Sequence, residues 1–237
     1  MKVVNKYIPY IALLVAVVLW SSSFIALKIA FTGYHPMVAI FLRMVVGSLC
    51  FLFIFKRVAR SLELRKSDIF LILFMALCEP CLYFLFEAKA IENTTASQAG
   101  IISALLPILV MIAATVFLKE KTGVQGWLGG FIAMLGVCWL TLESSPSATA
   151  PNPMLGNIYE FIAMICATGY TVAMRFLTIR YSPLFLTAVQ AVVGSFFYFP
   201  VLFLPSVKFP DNFELVPTLA VIYLGSVITL GAYGLYN

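Results

Sequence analysis

The chain has 237 residues, of which 62% are hydrophobic and only 11% are charged, and its mean hydropathy is +1.03. A soluble domain is close to half apolar and about a quarter charged, so this composition excludes an ordinary water-soluble globule. The net charge of +5 comes from short groups of basic residues between apolar runs. That pattern is typical of topology signals in a membrane protein and not of a nucleic-acid surface.

The apolar residues form runs of about 20, the length that an α-helix needs to cross a bilayer. Eight such spans are predicted, at residues 8–30, 36–56, 69–87, 96–118, 123–142, 155–175, 183–204 and 216–236. The runs are continuously apolar, whereas membrane β-strands alternate over about 10 residues. The sequence therefore predicts an all-α, polytopic membrane protein whose surroundings are the lipid bilayer.

Lys and Arg predict the orientation, because cytoplasmic loops hold the excess of both. With the N-terminus inside, the residues on or near the cytoplasmic side are Lys2, Lys6, Lys56, Arg57, Arg60, Arg65, Lys66, Lys119, Lys121, Arg175 and Arg180. Only Lys89 and Lys208 fall outside. We therefore predict a multi-pass protein of the plasma membrane, in a bacterium the inner membrane, with a cytoplasmic N-terminus.

The chain contains an internal repeat at an offset of 147 residues. Val45-Val46-Gly47-Ser48 coincides with Val192-Val193-Gly194-Ser195, and Pro36 coincides with Pro183. The repeat unit holds five helices, an odd number, so the second copy must cross the membrane upside down relative to the first. The predicted organisation is a first repeat over residues 1–143, an external linker over 144–154 and an incomplete, inverted second repeat over 155–237.

At the same offset, no part of the sequence corresponds to residues 96–141, which hold the last two helices of the first repeat. Two repeats of five helices make ten, so eight of an expected ten helices are present. A complete chain would have roughly 290 residues if the two repeats have equal lengths, as expected of duplicated halves. Many secondary transporters are built from inverted repeats with a central site at the repeat interface. The repeat therefore favours a carrier.

Three stretches resemble the EamA-type members of the drug/metabolite transporter superfamily. They are Trp20-Ser-Ser-Ser-Phe-Ile-Ala-Leu-Lys28 in the first helix, His35-Pro36 followed by Arg43 in the second, and, over the fourth and fifth, Ala96-Ser-Gln-Ala-Gly-Ile-Ile-Ser-Ala-Leu-Leu-Pro107, Leu118-Lys-Glu-Lys121 and Trp127-Leu-Gly-Gly130 with Gly136. The resemblance covers essentially the whole chain. It implies an inverted-repeat carrier of ten helices, and export as the direction of transport.

Ionisable groups at membrane depth are costly, so they usually face the bundle interior, pair, or line an aqueous path. Arg43 and Glu79 are the main candidates, and both could project into one outward-facing cavity. Arg43 would contact an anionic substrate group, and Glu79 would bind a cationic group or a coupling proton. The alternative for both is a structural ion pair or snorkelling to the interface.

Aromatic and hydrogen-bonding side chains would complete a largely apolar pocket. The substrate-binding residues predicted from the sequence are Trp20, Ser23, Arg43, Glu79, Tyr83, Tyr170 and Gln190. The alternative for the uncharged ones is packing, or hydrogen bonding to the backbone of their own helix. Small residues on the fourth and fifth helices, among them Gly126 and Gly130, form close-packing faces, either within one chain or at the seam of a homo-oligomer.

No catalytic, cofactor-binding or metal-binding residues are predicted. His35 is the only histidine, and no metal-binding helix motif, phosphate loop or Ser/His/Asp set occurs in the sequence. The sequence thus predicts a secondary transporter of small metabolites, such as amino acids, or of drugs, and not an enzyme. The rival interpretation is a membrane scaffold or signalling protein whose buried charges only pair.

Overall fold

The computed structural model describes residues 8–53, 64–210 and 212–232. Within these ranges the chain forms eight helices: α1 (Ile8–Gly33), α2 (Pro36–Phe53), α3 (Lys66–Asn93), α4 (Ala96–Phe117), α5 (Val124–Leu142), α6 (Pro153–Leu177), α7 (Pro183–Val201) and α8 (Leu215–Gly231). Seven of them are long and apolar enough to cross a membrane, and α8 is shorter over its described length. The predicted all-α, polytopic class is confirmed.

Each predicted span overlaps one helix, but some bounds differ. The third helix, Lys66–Asn93, extends beyond the predicted 69–87 at both ends. Its added turns carry polar residues, which an apolar window does not count. The end of the eighth predicted span lies outside the described residues, as do the basic residues Lys2, Lys6, Lys56, Arg57 and Arg60.

The helices pack into two compact units. Among the described residues, the first unit contains α1, α2, α7 and α8, and the second contains α3 to α6. Each unit therefore contains helices from both predicted repeats. Chain order alone does not give this grouping, because the packing is between helices far apart in sequence.

In the first unit, α2 and α7 run antiparallel. The Ser48 and Ser195 hydroxyl oxygens lie 3.2 Å apart, and the Phe41 and Phe199 rings meet with centroids 6.0 Å apart. Phe41 precedes Ser48 whereas Phe199 follows Ser195, so the chain runs in opposite directions along the two helices. The serines are the last residues of the matching tetrapeptides.

Helix α8 packs against α1 and α2 in the same unit. Its Tyr223 hydroxyl lies 2.7 Å from the Ser22 hydroxyl of α1, and Thr218 and Tyr34 make a second hydroxyl pair at 2.7 Å. Gly225 lets α8 approach α2 closely, because a Cβ there would lie 2.7 Å from the Arg43 carbonyl oxygen.

In the second unit, α3 packs along α6. A Cβ at Gly156 of α6 would lie 2.7 Å from the Thr94 backbone nitrogen, and one at Gly169 would lie 2.9 Å from Cys78 Sγ. The two helices are therefore antiparallel and close from the Thr94 end of α3 to its middle. At the far end of α6, Arg180 donates to both carboxylate oxygens of Asp68, at 2.9 and 3.1 Å.

Helix α3 is interrupted within the apolar run. The turn at Leu77–Leu82 is wider than an α-helical turn, and Glu79 has extended backbone angles, φ −147° and ψ 119°. Pro80 follows, and a proline has no N–H to continue the hydrogen-bond ladder. The break places the Glu79 carboxyl group inside the apolar span, where it is buried.

The outer surface of α5 is strongly apolar. Its exposed side chains include Leu128, Phe131, Ile132, Leu135 and Trp139. A continuous apolar face of this kind is suited to lipid contact and not to water. On its other face, Gly126 lies against Met111 and Gly130 against Ile108 of α4. The predicted small-residue face of α5 thus packs within the chain.

Candidate functional site

In the described part of the chain, four arginine and glutamate side chains are almost fully buried inside the membrane-spanning helices. Their exposed fractions are 2% for Arg43, 5% for Glu79, 2% for Glu87 and 0% for Glu160. An ionisable group at membrane depth costs several kcal/mol on insertion scales, on the order of 3 kcal/mol for Arg. Such residues are the first place to look for a binding or coupling site.

Three of the four lie in the second unit and form, with two tyrosines, what we call the acidic cluster. Its members are Glu79, Tyr83 and Glu87 on α3 and Glu160 and Tyr170 on α6. The Tyr83 hydroxyl donates to Glu87 Oε1 at 2.9 Å, one helical turn along α3. This bond orients the Glu87 carboxyl group.

Glu160 lies opposite Glu87. The neighbouring Tyr159 ring stacks on Phe86 with centroids 6.3 Å apart, and the Lys89 ammonium lies 5.6 Å from the centroid of the same ring. Phe86 and Lys89 flank Glu87 in sequence, so Glu160 and Glu87 occupy the same level of the α3–α6 interface. The two carboxyl groups are near enough for the charge of Glu87 to act on Glu160.

Glu79 and Tyr170 share a second level of this interface. Gly169 of α6 faces Cys78 of α3, and Tyr170 and Glu79 are their immediate neighbours in sequence. Tyr170 is 3% exposed. At 1.5 Å per residue, Glu79 lies about 21 Å along α3 from Asn93, whereas Glu87 lies about 9 Å from it. The predicted residues Glu79, Tyr83 and Tyr170 thus lie on the two helices that pack together, α3 and α6.

Sequence reasoning missed Glu87 and Glu160. Both carry the signal that selected Glu79, an acidic residue inside an apolar run. Glu87 is the last residue of the predicted third span, and Glu160 lies five residues inside the sixth. Both therefore lie near the ends of predicted spans, where a charged residue is common. The longer α3 and the start of α6 at Pro153 place them about 9 and 10 Å from the helix ends.

The other predicted residues lie in the first unit. Ser23 Oγ donates to the Trp20 carbonyl oxygen at 2.6 Å, the self-bonding alternative for a serine in a membrane helix. Trp20 is half-buried, and Arg43 and Gln190 are buried.

Arg43 and Gln190 do not lie side by side. Arg43 stands five residues before Ser48, and Gln190 stands five residues before Ser195. The hydroxyl oxygens of these two serines lie 3.2 Å apart. Because α2 and α7 are antiparallel, these five-residue steps run in opposite directions. The two side chains are therefore separated by about 15 Å along the helix axes.

No group of three or more His, Cys, Asp or Glu side chains in the described ranges is arranged to hold a metal ion. The acidic cluster instead offers carboxyl and phenol groups between two packed helices. Such groups bind protons, cationic groups and hydrogen-bond donors.

Long apolar helices with ionisable side chains buried within them define a polytopic membrane protein. The sequence matches the EamA-like transporter family over residues 7–142 and 154–237. The chain belongs to this family of membrane transporters.

Several relatives are similar over most of the chain. An uncharacterized transporter of Bacillus subtilis, YetK, is 23% identical over 96% of this chain and 70% of its own length. An uncharacterized transporter of Archaeoglobus fulgidus is 24% identical over 96% of this chain and 76% of its own length. A second B. subtilis protein, YcxC, also named an uncharacterized transporter, is 29% identical over 56% of this chain and 43% of its own length.

Proposed function

We propose that this protein is a secondary carrier that exports small metabolites, such as amino acids, or drugs, without a bound cofactor. The observation that carries the proposal is the burial of Arg43, Glu79, Glu87 and Glu160 within the membrane-spanning helices of an EamA-like family member. A transporter family also argues against an enzyme.

Alternating access is the mechanism that we propose. Carriers with inverted repeats expose one central site first to one side of the membrane and then to the other. The Ser48–Ser195 contact between equivalent positions of the two predicted repeats supports such a duplication. Substrate binding shifts the equilibrium between the two conformations, because the substrate binds one conformation more tightly than the other.

Two buried residues are proposed to contact the substrate. Arg43 would bind an anionic group through its guanidinium, which suits carboxylate and phosphate geometry. Glu79 would bind a cationic group or a proton.

The first experiment is solute uptake and efflux in proteoliposomes that contain this chain, across a panel of amino acids, other metabolites and drugs. We expect flux of a subset of solutes, and loss of that flux in Arg43→Ala. Arg175→Ala is the matched control, because Arg175 is an exposed arginine that pairs with Glu120. Circular dichroism and size-exclusion chromatography establish that each variant folds.

Two outcomes would contradict the carrier. One is no flux across the panel, and the other is flux that folded Arg43→Ala retains in full. The first would favour the rival function, a scaffold or signalling protein. The direction of transport is measured separately, in everted and right-side-out vesicles. Reporter fusions at each loop test whether the N-terminus is cytoplasmic.

A further inference from the structure

We propose that Glu160, opposed by Glu87 across the α3–α6 interface, is the proton-binding site that couples transport to the proton gradient. Glu160 holds one proton while α3 and α6 are packed together and releases it to water when the interface opens. The inference deepens the proposed carrier function and rests on it.

The burial of Glu160 is the first support. Its exposed fraction is 0%, and neither carboxyl oxygen has a hydrogen-bond partner in the described part of the chain. An ionised carboxylate without a partner in apolar surroundings is very costly, and such a group neutralises instead. Neutralisation is the addition of one proton to one carboxylate oxygen, with no other bond made or broken.

The charges around Glu160 are the second support. The elements that pack against Glu160 carry these other titratable or charged residues: Lys66, Asp68, Cys78, Glu79, Cys81, Tyr83, Glu87, Lys89 and Glu92 on α3, Cys138 on α5, and Tyr159, Cys166, Tyr170 and Arg175 on α6 itself. Helix α4 has none. The three cations of these helices lie elsewhere: Lys66 is exposed at the start of α3, Lys89 is exposed and lies over the Tyr159 ring, and Arg175 pairs with Glu120 at the surface. Asp68 binds Arg180 at the same end of α3 as Lys66.

The neighbouring carboxyl group is therefore the charge that acts on Glu160. Glu87 accepts a hydrogen bond from the Tyr83 hydroxyl, and a hydrogen bond to a carboxylate favours its ionised form. Two close carboxyl groups do not both ionise readily, and they share their protons as a pair. The proton of the pair thus belongs on Glu160, the member without a donor.

The position of the pair suits a coupling site. Glu87 and Glu160 lie about 9 and 10 Å from the ends of α3 and α6, and those ends meet where the Asn152 N–H donates to the Asn93 carbonyl oxygen at 3.3 Å. A modest separation of the two ends would admit water to Glu160. Hydration then favours the ionised form, and the proton leaves.

The protonation state is tested directly and without transport. Infrared spectra of the purified full chain in nanodiscs are recorded near neutral pH in H₂O and D₂O. We expect a deuterium-sensitive carbonyl band of a protonated carboxylic acid that is lost in Glu160→Gln. Glu143→Gln, which removes an exposed carboxyl group, should retain the band, and so should Glu79→Gln.

Equal band intensity in the wild type and folded Glu160→Gln would overturn the proposal. Glu160→Asp keeps a carboxylic acid and should shift the band instead of removing it. That variant keeps the test decisive if Glu160→Gln does not fold. An unshifted band in Glu160→Asp would likewise contradict the assignment.

Coupling is tested with a solute that the panel identifies as transported. An imposed pH gradient should accelerate wild-type flux, and Glu160→Gln should lose this acceleration while retaining exchange in the absence of a gradient. Acceleration that persists in Glu160→Gln, or flux driven by a Na⁺ gradient alone, would overturn the coupling while leaving the carrier intact. Absence of all flux would instead contradict the carrier, and the infrared result would stand by itself.

Discussion

The hydroxyl oxygens of Ser48 and Ser195 lie 3.2 Å apart, and the two residues are 147 positions apart in the chain. This separation equals the offset at which the sequence repeats. A contact between equivalent positions of two repeats is what a pseudo-twofold axis through the α2–α7 interface would produce. The contact therefore supports the duplication proposed from the sequence.

Two pairs of helices extend this relationship. The repeat relates α1 to α6 and α3 to α8, and the structure packs α1 on α8 and α3 on α6. The wider helical turns in α3 and α8 begin at Leu77 and Leu224, which are equivalent positions. A shared irregularity at one repeat position supports a common local structure.

The α2–α7 contact predicts a cross-link. In a background without the five native cysteines, the double variant Ser48→Cys/Ser195→Cys should form an intramolecular disulfide under mild oxidation, because the side chains already meet. The measurement is the gel shift after thiol labelling, and each single variant is the control. Free thiols at both positions of the folded double variant would show that α2 and α7 do not meet there.

Substitution of Gly225 should destabilise the first unit. A Cβ at this position would lie 2.6 Å from Val46 Cβ and 2.7 Å from the Arg43 carbonyl oxygen. Overpacking of this kind costs about 1–3 kcal/mol, so Gly225→Ala should lower the melting temperature in detergent. Gly136→Ala is the matched control, since a Cβ there meets nothing within 4 Å. Equal melting temperatures for the two variants would contradict the close approach of α8 to α2.

The end of the α3–α6 pair at Asn93 and Gly156 depends on Thr94. Its hydroxyl donates to Asn157 Oδ1 at 2.7 Å, and the residue is 0% exposed. In Thr94→Val the Asn157 oxygen loses this buried donor, at a cost of about 1–3 kcal/mol. Thermal unfolding should report the loss, and Thr32→Val, whose exposed hydroxyl donates to the Ile29 carbonyl oxygen of its own helix, should show a smaller one. An unchanged melting temperature for Thr94→Val would argue against the bond.

The Asp68–Arg180 pair should contribute more than the surface pair Glu120–Arg175. Asp68 is 11% exposed at its side chain and receives two hydrogen bonds from Arg180. Since the Arg180 side chain is 52% exposed, the expected loss in Asp68→Asn is no more than about 1 kcal/mol. Glu120→Gln should cost less, because both partners are exposed. A double-mutant cycle at each pair measures the difference, and coupling that is equal at the two pairs would refute it.

His35 should make stability depend on pH. Burial lowers the pKa of His35 from 6.5, and its Nδ1 accepts the Met37 N–H at 3.3 Å. As the pH falls, the unfolded chain therefore binds a proton at His35 before the folded chain does, and this binding favours unfolding. The stability that His35 contributes is present above pH 6.5 and is lost as the pH falls below it. The melting temperature should fall between about pH 7.5 and about pH 5.5.

The control for this prediction is His35→Gln, which does not titrate. The difference between wild type and variant should shrink or reverse in sign as the pH falls. A difference that is constant over the range would show that His35 titrates alike in the folded and unfolded chains.

The sequence predicted the helices and much of the polar site. Eight apolar runs became eight helices because a chain in lipid must satisfy its backbone hydrogen bonds within each segment. The rarity of charge in those runs also selected Arg43 and Glu79, both of which are buried. The predicted contacts of these two residues with substrate remain proposals.

Local sequence could not predict which side chains meet. Ser23 and Thr171 satisfy their hydroxyls on their own helices, and nothing in the sequence distinguishes them from Ser22, which reaches Tyr223. Arg43 and Gln190 coincide in the repeat, yet the antiparallel packing of α2 and α7 separates them.

The sequence by itself determined that this is an all-helical membrane protein, because hydropathy can be read from the order of residues along the chain. The duplicated segment that it also predicts remains a prediction. Only the tertiary structure placed Glu160 opposite Glu87, on helices that two others separate in sequence. That contact follows from small residues such as Gly156 and Gly169, which let α6 lie close to α3. The environment of a buried carboxyl group is made by neighbours distant in sequence, so its chemistry is decided when the helices pack.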